Sequence, residues 1–568
     1  MTTIAAGIKF ANRLAMKDRL FTELSNMFGR EVPLYDKALE VNRVCNSAVC
    51  ALLRKVYPAF SITDAEFDHS SGERHGAIRI GRPDEYRWIG RLFECFAMEP
   101  HNFYDMTDVG ARSQPVIATA FRSRLRPEHR VFTSLLMTDY FDTATQARIE
   151  ALLAMRQVFS DRAKSLITKC ETEGGLSPVD AESLIAECTE RIFKWTASAR
   201  DHALYETLSS AGFKIAADIV CFESHHLNHL TPNTLCMDLY TAAMEHCLGG
   251  VDAIWLRARA TTVLRRLAQS VDRNLMTLYF HTAATSAAVN APPAAVTEAE
   301  LSTLVDDLMR ELAREEFRLS ELNHSGFKDF TEGPCAGLPI LLRQDAYKAL
   351  TEPVRFVEAD GREILTTHTA RFGEIEARAY ACTPIGMALY DACLEHADRV
   401  READPSLASR DLEAYEIAYA RPFSVFPTTL EELLAKGLVY GCYHATARGI
   451  EHAAQLHDGT TDLLALARLG FVAYEGLRYE DFLPVSAAGI FASNLNQYGT
   501  ESSARVKPVY TQAQLESVLG RRIIDVNLAY AGIEAESKLA TYQALGMLER
   551  VTIVERTMLD RAIAQWQR

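Results

Sequence analysis

Apolar residues at helical spacing alternate with short runs of β-branched and aromatic residues through the first half of the chain. The spacing predicts helices over 21–28, 35–53 and 86–96, with a strand at 74–79 between the last two. Two further runs, 114–121 and 130–137, are rich in β-branched and aromatic residues and predict strands. Residues 143–211 form a helical block. Ile149, Leu152 and Leu153 mark one stripe; Leu184, Ile185, Cys188, Ile192 and Phe193 mark another. The second helix opens on Ser177 as N-cap with Pro178 behind it. Residues 213–222 are expected to return to a strand. An Ala-rich stretch at 285–296 with Pro292 and Pro293 reads as a connector. After it, Thr297 and Glu300 form a capping-box pattern opening a helix that carries Leu301, Leu304, Val305, Leu308, Met309 and Leu312 on one face. Strands resume near Ile340 and over 370–381, and 511–568 is mostly helical. No repeat of solenoid period is present. The pattern is α+β: a discontinuous core at 1–239 and 326–500, a helical insertion at 240–325 and a C-terminal helical segment at 501–568.

A chain of 568 residues exceeds what one hydrophobic core usually organises, so more than one packed unit is expected. An apolar fraction of 48% with 24% charged residues is that of an ordinary soluble globular protein. The net charge of −15 argues against a nucleic-acid partner, which needs a basic face. No apolar run is long enough to span a bilayer. Lys9, Arg13, Lys17 and Arg19 break up the start of the chain, which is not the pattern of a secretory signal. The 12 cysteines are spread singly with no C-x-x-C pair, and read as small buried hydrophobes. A cytoplasmic enzyme is the expectation.

Residues two apart in a strand share a face, so His75 and Arg79 project the same way from 74–79. That face can offer a metal ligand and a guanidinium that holds acids. A lone strand histidine is more often a satisfied core residue, so the further clusters matter. His225, His226 and His229 crowd one short segment, which Pro232 stiffens by restricting Thr231. Residue type alone favours a polar loop there. Glu374, Glu376 and Arg378 share one face of a strand, more commonly a solvated charged face. Two imidazoles and one carboxylate are also the facial set that suits non-haem Fe(II). Small residues after Pro484 could bring backbone N–H groups close to an anion, a weak signal by itself. Phosphate-loop, dinucleotide-binding, nucleophile-elbow and H-E-x-x-H patterns are absent.

Four separated segments, R-H-G-A-I-R at 74–79, H-L-N-H-L-T-P at 226–232, H-T-A-R-F-G-E-I-E-A-R at 368–378 and Y-E-D-F-L-P-V-S-A-A-G-I-F at 479–491, resemble the 2-oxoadipate dioxygenase/decarboxylase family. R-V-F-T-S-L-L at 130–136 and L-L-R-Q at 341–344 support the resemblance. It implies a vicinal-oxygen-chelate-like curved β-sheet core with added helices, holding one Fe(II). Carried over by motif, the ligands are His75, His229 (His226 being the alternative in the same motif) and Glu374, with Glu376 as the alternate. Arg79 becomes the catalytic clamp on substrate, and Val485 and Ser486 the further substrate contacts. The partners implied are a small 2-oxo acid and O2. The reaction implied is conversion of 2-oxoadipate to 2-hydroxyglutarate with loss of CO2, a step in lysine degradation. Asn233 departs from the pattern, standing where the family usually has arginine, and the 240–325 insertion looks foreign to shorter members. The insertion is expected to pack outside the metal site as a lid or an oligomer contact. Rival readings are a non-oxidative metal-dependent isomerase or lyase, or a non-catalytic metal or acid binder.

Overall fold

The computed structural model describes residues 4–5, 8–108, 113–271, 273–280, 292–327, 331, 333–452, 460–483, 503–504 and 508–567. Two long helices open it. Arg13–Glu31 (α1) starts where the Asn12 side chain accepts from the N–H groups of Leu14 and Ala15, and Pro33–Val56 (α2) starts on its proline. Their apolar stripes, including Leu20, Leu24, Val41 and Val49, are buried in the main core.

Against this layer lies the sheet that positions the site. Strand Glu73–Ile80 (β1) is followed by helix Pro83–Cys95 (α3) and strands Glu99–Asp105 (β2), Val116–Arg122 (β3) and Arg130–Leu136 (β4). The chain then runs through the helical block to helix Lys214–Cys221 (α4) and strand His229–Pro232 (β5). The sheet order is β2-β3-β4-β1-β5, with β1 parallel to β4 and antiparallel to β5. The α3 crossover makes the parallel β1–β4 pair possible, since parallel neighbours cannot be joined by a tight turn. All eight residues of β1 are buried, so both of its faces are covered. Strand Glu374–Arg378 continues the sheet past β5: Asn233 bridges Glu376, and the Thr234 N–H donates to the Glu376 carbonyl at 2.8 Å. The fold is α+β, and the five-stranded sheet carries the site on one face.

One expectation is corrected. Residues 213–222, read as a strand, form α4. Ile215 through Cys221 are all buried, and a short, mostly apolar segment is ambiguous between the two states.

Residues 240–325 are mainly helical where described, with Met237–Cys247 (α5), Ala253–Ser270 (α6) and Glu298–Leu312 (α7). Leu256, Leu264, Leu301, Leu304 and Leu308 are buried in the same core as α2. The expected capping box of Thr297 and Glu300 opens α7. Of the connector at 285–296, residues 285–291 lie outside the described residues. Strands Leu342–Ala346 (β6), Thr351–Val357 (β7) and Glu363–Thr369 (β8) precede Glu374–Arg378 (β9), which pairs antiparallel with β6. Among the described residues, no helix is long and apolar enough to cross a membrane.

Candidate metal centre

The register of β1 against β5 brings two histidines together. His75 pairs with Thr231 and Ala77 with His229, so both imidazoles stand on one face as diagonal neighbours. Their ring centroids are 5.4 Å apart at a near-perpendicular 88°. Glu374, the first residue of β9, completes the group. Its Oε2 lies 3.0 Å from Nε2 of His75 and 3.5 Å from Nε2 of His229. One donor atom from each of the three residues lies within 4.8 Å of the others, and all three are buried. Cis edges of an octahedron with bonds of about 2.1 Å span roughly 3.0 Å, so the spacing has the scale of a metal's inner coordination sphere. Thr231 donates to Glu374 Oε2 at 3.1 Å and sits 3.0 Å from His75 Nε2.

Glu376, two residues on, shares the face of Glu374 but sits on the other edge of the His75 ring. Its Oε2 is 2.8 Å from Nδ1 of His75. Arg378 grips the same carboxylate with two hydrogen bonds at 2.6 and 2.8 Å, and Arg130 approaches at 3.4 Å. Burial would raise the Glu376 pKa, but Arg378, Arg130 and His75 outweigh it and hold the carboxyl well below the usual range. An ionised carboxylate this close to Nδ1 favours a ring proton on that side, which would leave the Nε2 lone pair for a metal.

The walls are aromatic. Phe372 stacks on His229 at 4.8 Å and Phe482 meets His75 edge-on at 4.8 Å. Burial, with help from His75 and Arg79, pulls the His229 pKa down to about 4 against the opposing pull of Glu374. The imidazole is therefore neutral at ordinary pH, as a ligand must be. Among the described residues neither ring nitrogen of His229 has a hydrogen-bond partner. A fully buried imidazole without one is costly unless something else binds it, and this donor set suits a metal ion.

The other sequence candidates divide. Arg79 lies on the ligand face of β1, and its Nη1 donates to Asp218 Oδ2 at 2.6 Å. His226 is not in the triad; its Nε2 is 3.1 Å from Asp218 Oδ1. His225 points elsewhere, 3.8 Å from Glu85. Val485 and Ser486 lie outside the described residues, but the start of their segment reaches the site. Arg378 donates to the carbonyls of Tyr479 and Asp481, and Phe482 forms the wall.

Sequence reasoning missed Asp218 and His368. Asp218, on α4, takes Arg79, His226, Asn228 and His368 at 2.6 to 3.3 Å. Burial would raise its pKa, but His226 and Arg79 hold it well below the usual carboxylate range. The available signal was a single acid inside the apolar run Ile215 to Cys221.

Known proteins match this architecture. The profile of the 2-oxoadipate dioxygenase/decarboxylase family matches residues 20–259 and 300–494. The chain is 34% identical over 547 residues to a 2-oxoadipate dioxygenase/decarboxylase of Pseudomonas putida, covering 95% of this chain and 98% of that one. It is 30% identical over 532 residues to one of Escherichia coli, covering 92% and 97%. A crystal structure of the hydroxyglutarate synthase of Pseudomonas putida in complex with 2-oxoadipate superposes with a TM-score of 0.67 at 31% identity, covering 94% of this chain and 99% of that one. The chain belongs to the 2-oxoadipate dioxygenase/decarboxylase family.

Proposed function

We propose that this protein is an Fe(II)-dependent dioxygenase and decarboxylase that takes 2-oxoadipate and O2 to 2-hydroxyglutarate and CO2. The observation that carries the reading is the buried triad of His75, His229 and Glu374 in a member of this family. The 2-oxoadipate bound by the similar Pseudomonas putida protein supports the substrate class. Two imidazole nitrogens and one carboxylate on one side leave coordination positions open, the arrangement suited to non-haem iron. Iron held there supplies oxygen activation and a Lewis acid for the 2-oxo acid.

The chain's own residues supply geometry. Glu376 orients His75 through Nδ1, and Arg378 with Arg130 keeps Glu376 charged and fixed. Phe372 and Phe482 keep the ligand face dry, which strengthens every charge interaction inside it. Arg79 takes the acid oxygens of the substrate. It stands four residues from His75, roughly 13 Å along the strand, and a side chain leaning back leaves room for a short dicarboxylate. Asp218 holds that guanidinium in one orientation. The protein works in the cytoplasm.

Oxygen uptake by Fe(II)-loaded protein across a series of 2-oxo acids tests the reading. Uptake should be greatest with 2-oxoadipate and matched by CO2 release. Turnover without O2 on Zn, Ni or Mn would point to an isomerase or lyase; tight acid binding without turnover, to a binding protein.

A further inference from the structure

A second group of ligand-type side chains lies on an element outside the sheet that holds His75. Strands Gly441–Ala445 (β10) and Val472–Gly476 (β11) form a two-stranded antiparallel ribbon. Its inner face packs on helix Val526–Ala544 (α8). Tyr443 is buried, its N–H donates to the Ser537 hydroxyl, and its carbonyl accepts from Thr541. Side chains alternate along a strand, so Cys442 and His444 project from the opposite, outer face. The register sets Glu475 directly across from Cys442, on that same face.

The outer face thus presents a thiol, an imidazole and a carboxylate together. Cys442 is also unusual among the cysteines, nine of which are buried. Its Sγ lies 3.5 Å from Nε2 of His444, and that same nitrogen lies 3.6 Å from Oε1 of Glu475. One donor atom from each of the three lies within 4.8 Å of the others. A tetrahedral zinc ion with ordinary bond lengths to sulfur, nitrogen and oxygen has S···N and N···O edges of roughly 3.6 and 3.4 Å. The two measured separations therefore have the size of its coordination edges.

We infer that Cys442, His444 and Glu475 form a second metal site, one that takes a zinc-like divalent transition-metal ion in tetrahedral coordination with water as the fourth ligand. The sulfur donor distinguishes it from the two-nitrogen, one-oxygen centre at His75, since thiolate favours zinc and softer ions. Metal binding would tie β10 to β11 through ligands from both strands. The inference does not depend on the reaction proposed for the His75 centre.

Titration of Co2+ into the metal-stripped full chain tests it, read by thiolate-to-cobalt charge-transfer absorption and by zinc equilibrium dialysis. The wild type should show the charge-transfer band and take up one metal equivalent more than Cys442→Ser. Cys442→Ser and His444→Ala should each abolish the band, and a His75→Ala/His229→Ala variant should keep it. His444 is exposed and Cys442 half-buried, so both single variants should fold, which circular dichroism checks. A wild type without the band, or a band that survives Cys442→Ser or His444→Ala, would overturn the site.

Discussion

Glu376 lies 2.8 Å from Nδ1 of His75, across the ring from the nitrogen that faces Glu374. In the proposed function the two carboxylates on one strand face divide between two jobs, one at the metal edge and one at the proton edge. Glu374→Gln should release the metal. Glu376→Gln should keep it with affinity weaker by roughly 10–100-fold, as when a ligand's supporting partner is lost. Metal analysis of the two purified variants separates them, and equal retention in both would contradict the division.

Arg79 and Asp218 should be separable from metal binding. Arg79→Lys keeps the charge but loses the planar fork, so turnover of 2-oxoadipate should fall sharply while metal content stays intact. Asp218→Ala removes the buried 2.6 Å ion pair with Arg79, at a cost of up to roughly 3–5 kcal/mol. Urea unfolding of the metal-free variant measures that cost. Near-normal kinetics in Arg79→Lys would make the arginine structural.

Gly373 precedes Glu374, and a methyl group there would overlap the buried Tyr347 ring. Gly373→Ala should destabilise the protein by about 1–3 kcal/mol and loosen Glu374, lowering metal affinity as well. Thermal unfolding with and without metal reads both effects.

Acid sensitivity follows from His101, which is fully buried with Nδ1 donating to the Glu99 carbonyl. Burial, aided by Arg122, pulls its pKa down to about 3. An unfolded histidine titrates near 6.5. Below that pH the unfolded chain takes up a proton the folded chain refuses, so stability is full above about pH 6.5 and falls as pH drops toward 3. His101→Gln should flatten this acid limb, which denaturant unfolding between those limits measures.

The parts of the site legible in the sequence were those written in local signals. His75 and Arg79 on one strand face, the histidine cluster and the paired glutamates all follow from residue type and strand period. The division between Glu374 and Glu376 was not legible. It depends on how β9 sits beside β5, through contacts between Asn233, Thr234 and Glu376 that join residues about 140 apart. Asp218 was hidden for another reason. Its helix is only eight residues long and mostly apolar, too short for the sequence to tell from a buried strand, so it read as a strand. Helix starts such as Ser177 with Pro178 and Thr297 with Glu300 were legible because capping is decided within four residues.

The most direct test of the central claim is the fate of 18O2 in single-turnover reactions of the Fe(II)-loaded protein with 2-oxoadipate. One centre that decarboxylates and then hydroxylates the same substrate should place one labelled oxygen in the new carboxylate and one in the hydroxyl group of 2-hydroxyglutarate, with one CO2 released per O2 consumed. His75→Ala and Glu374→Gln should give no labelled product. Product formed without O2, or carrying no label from it, would contradict the account.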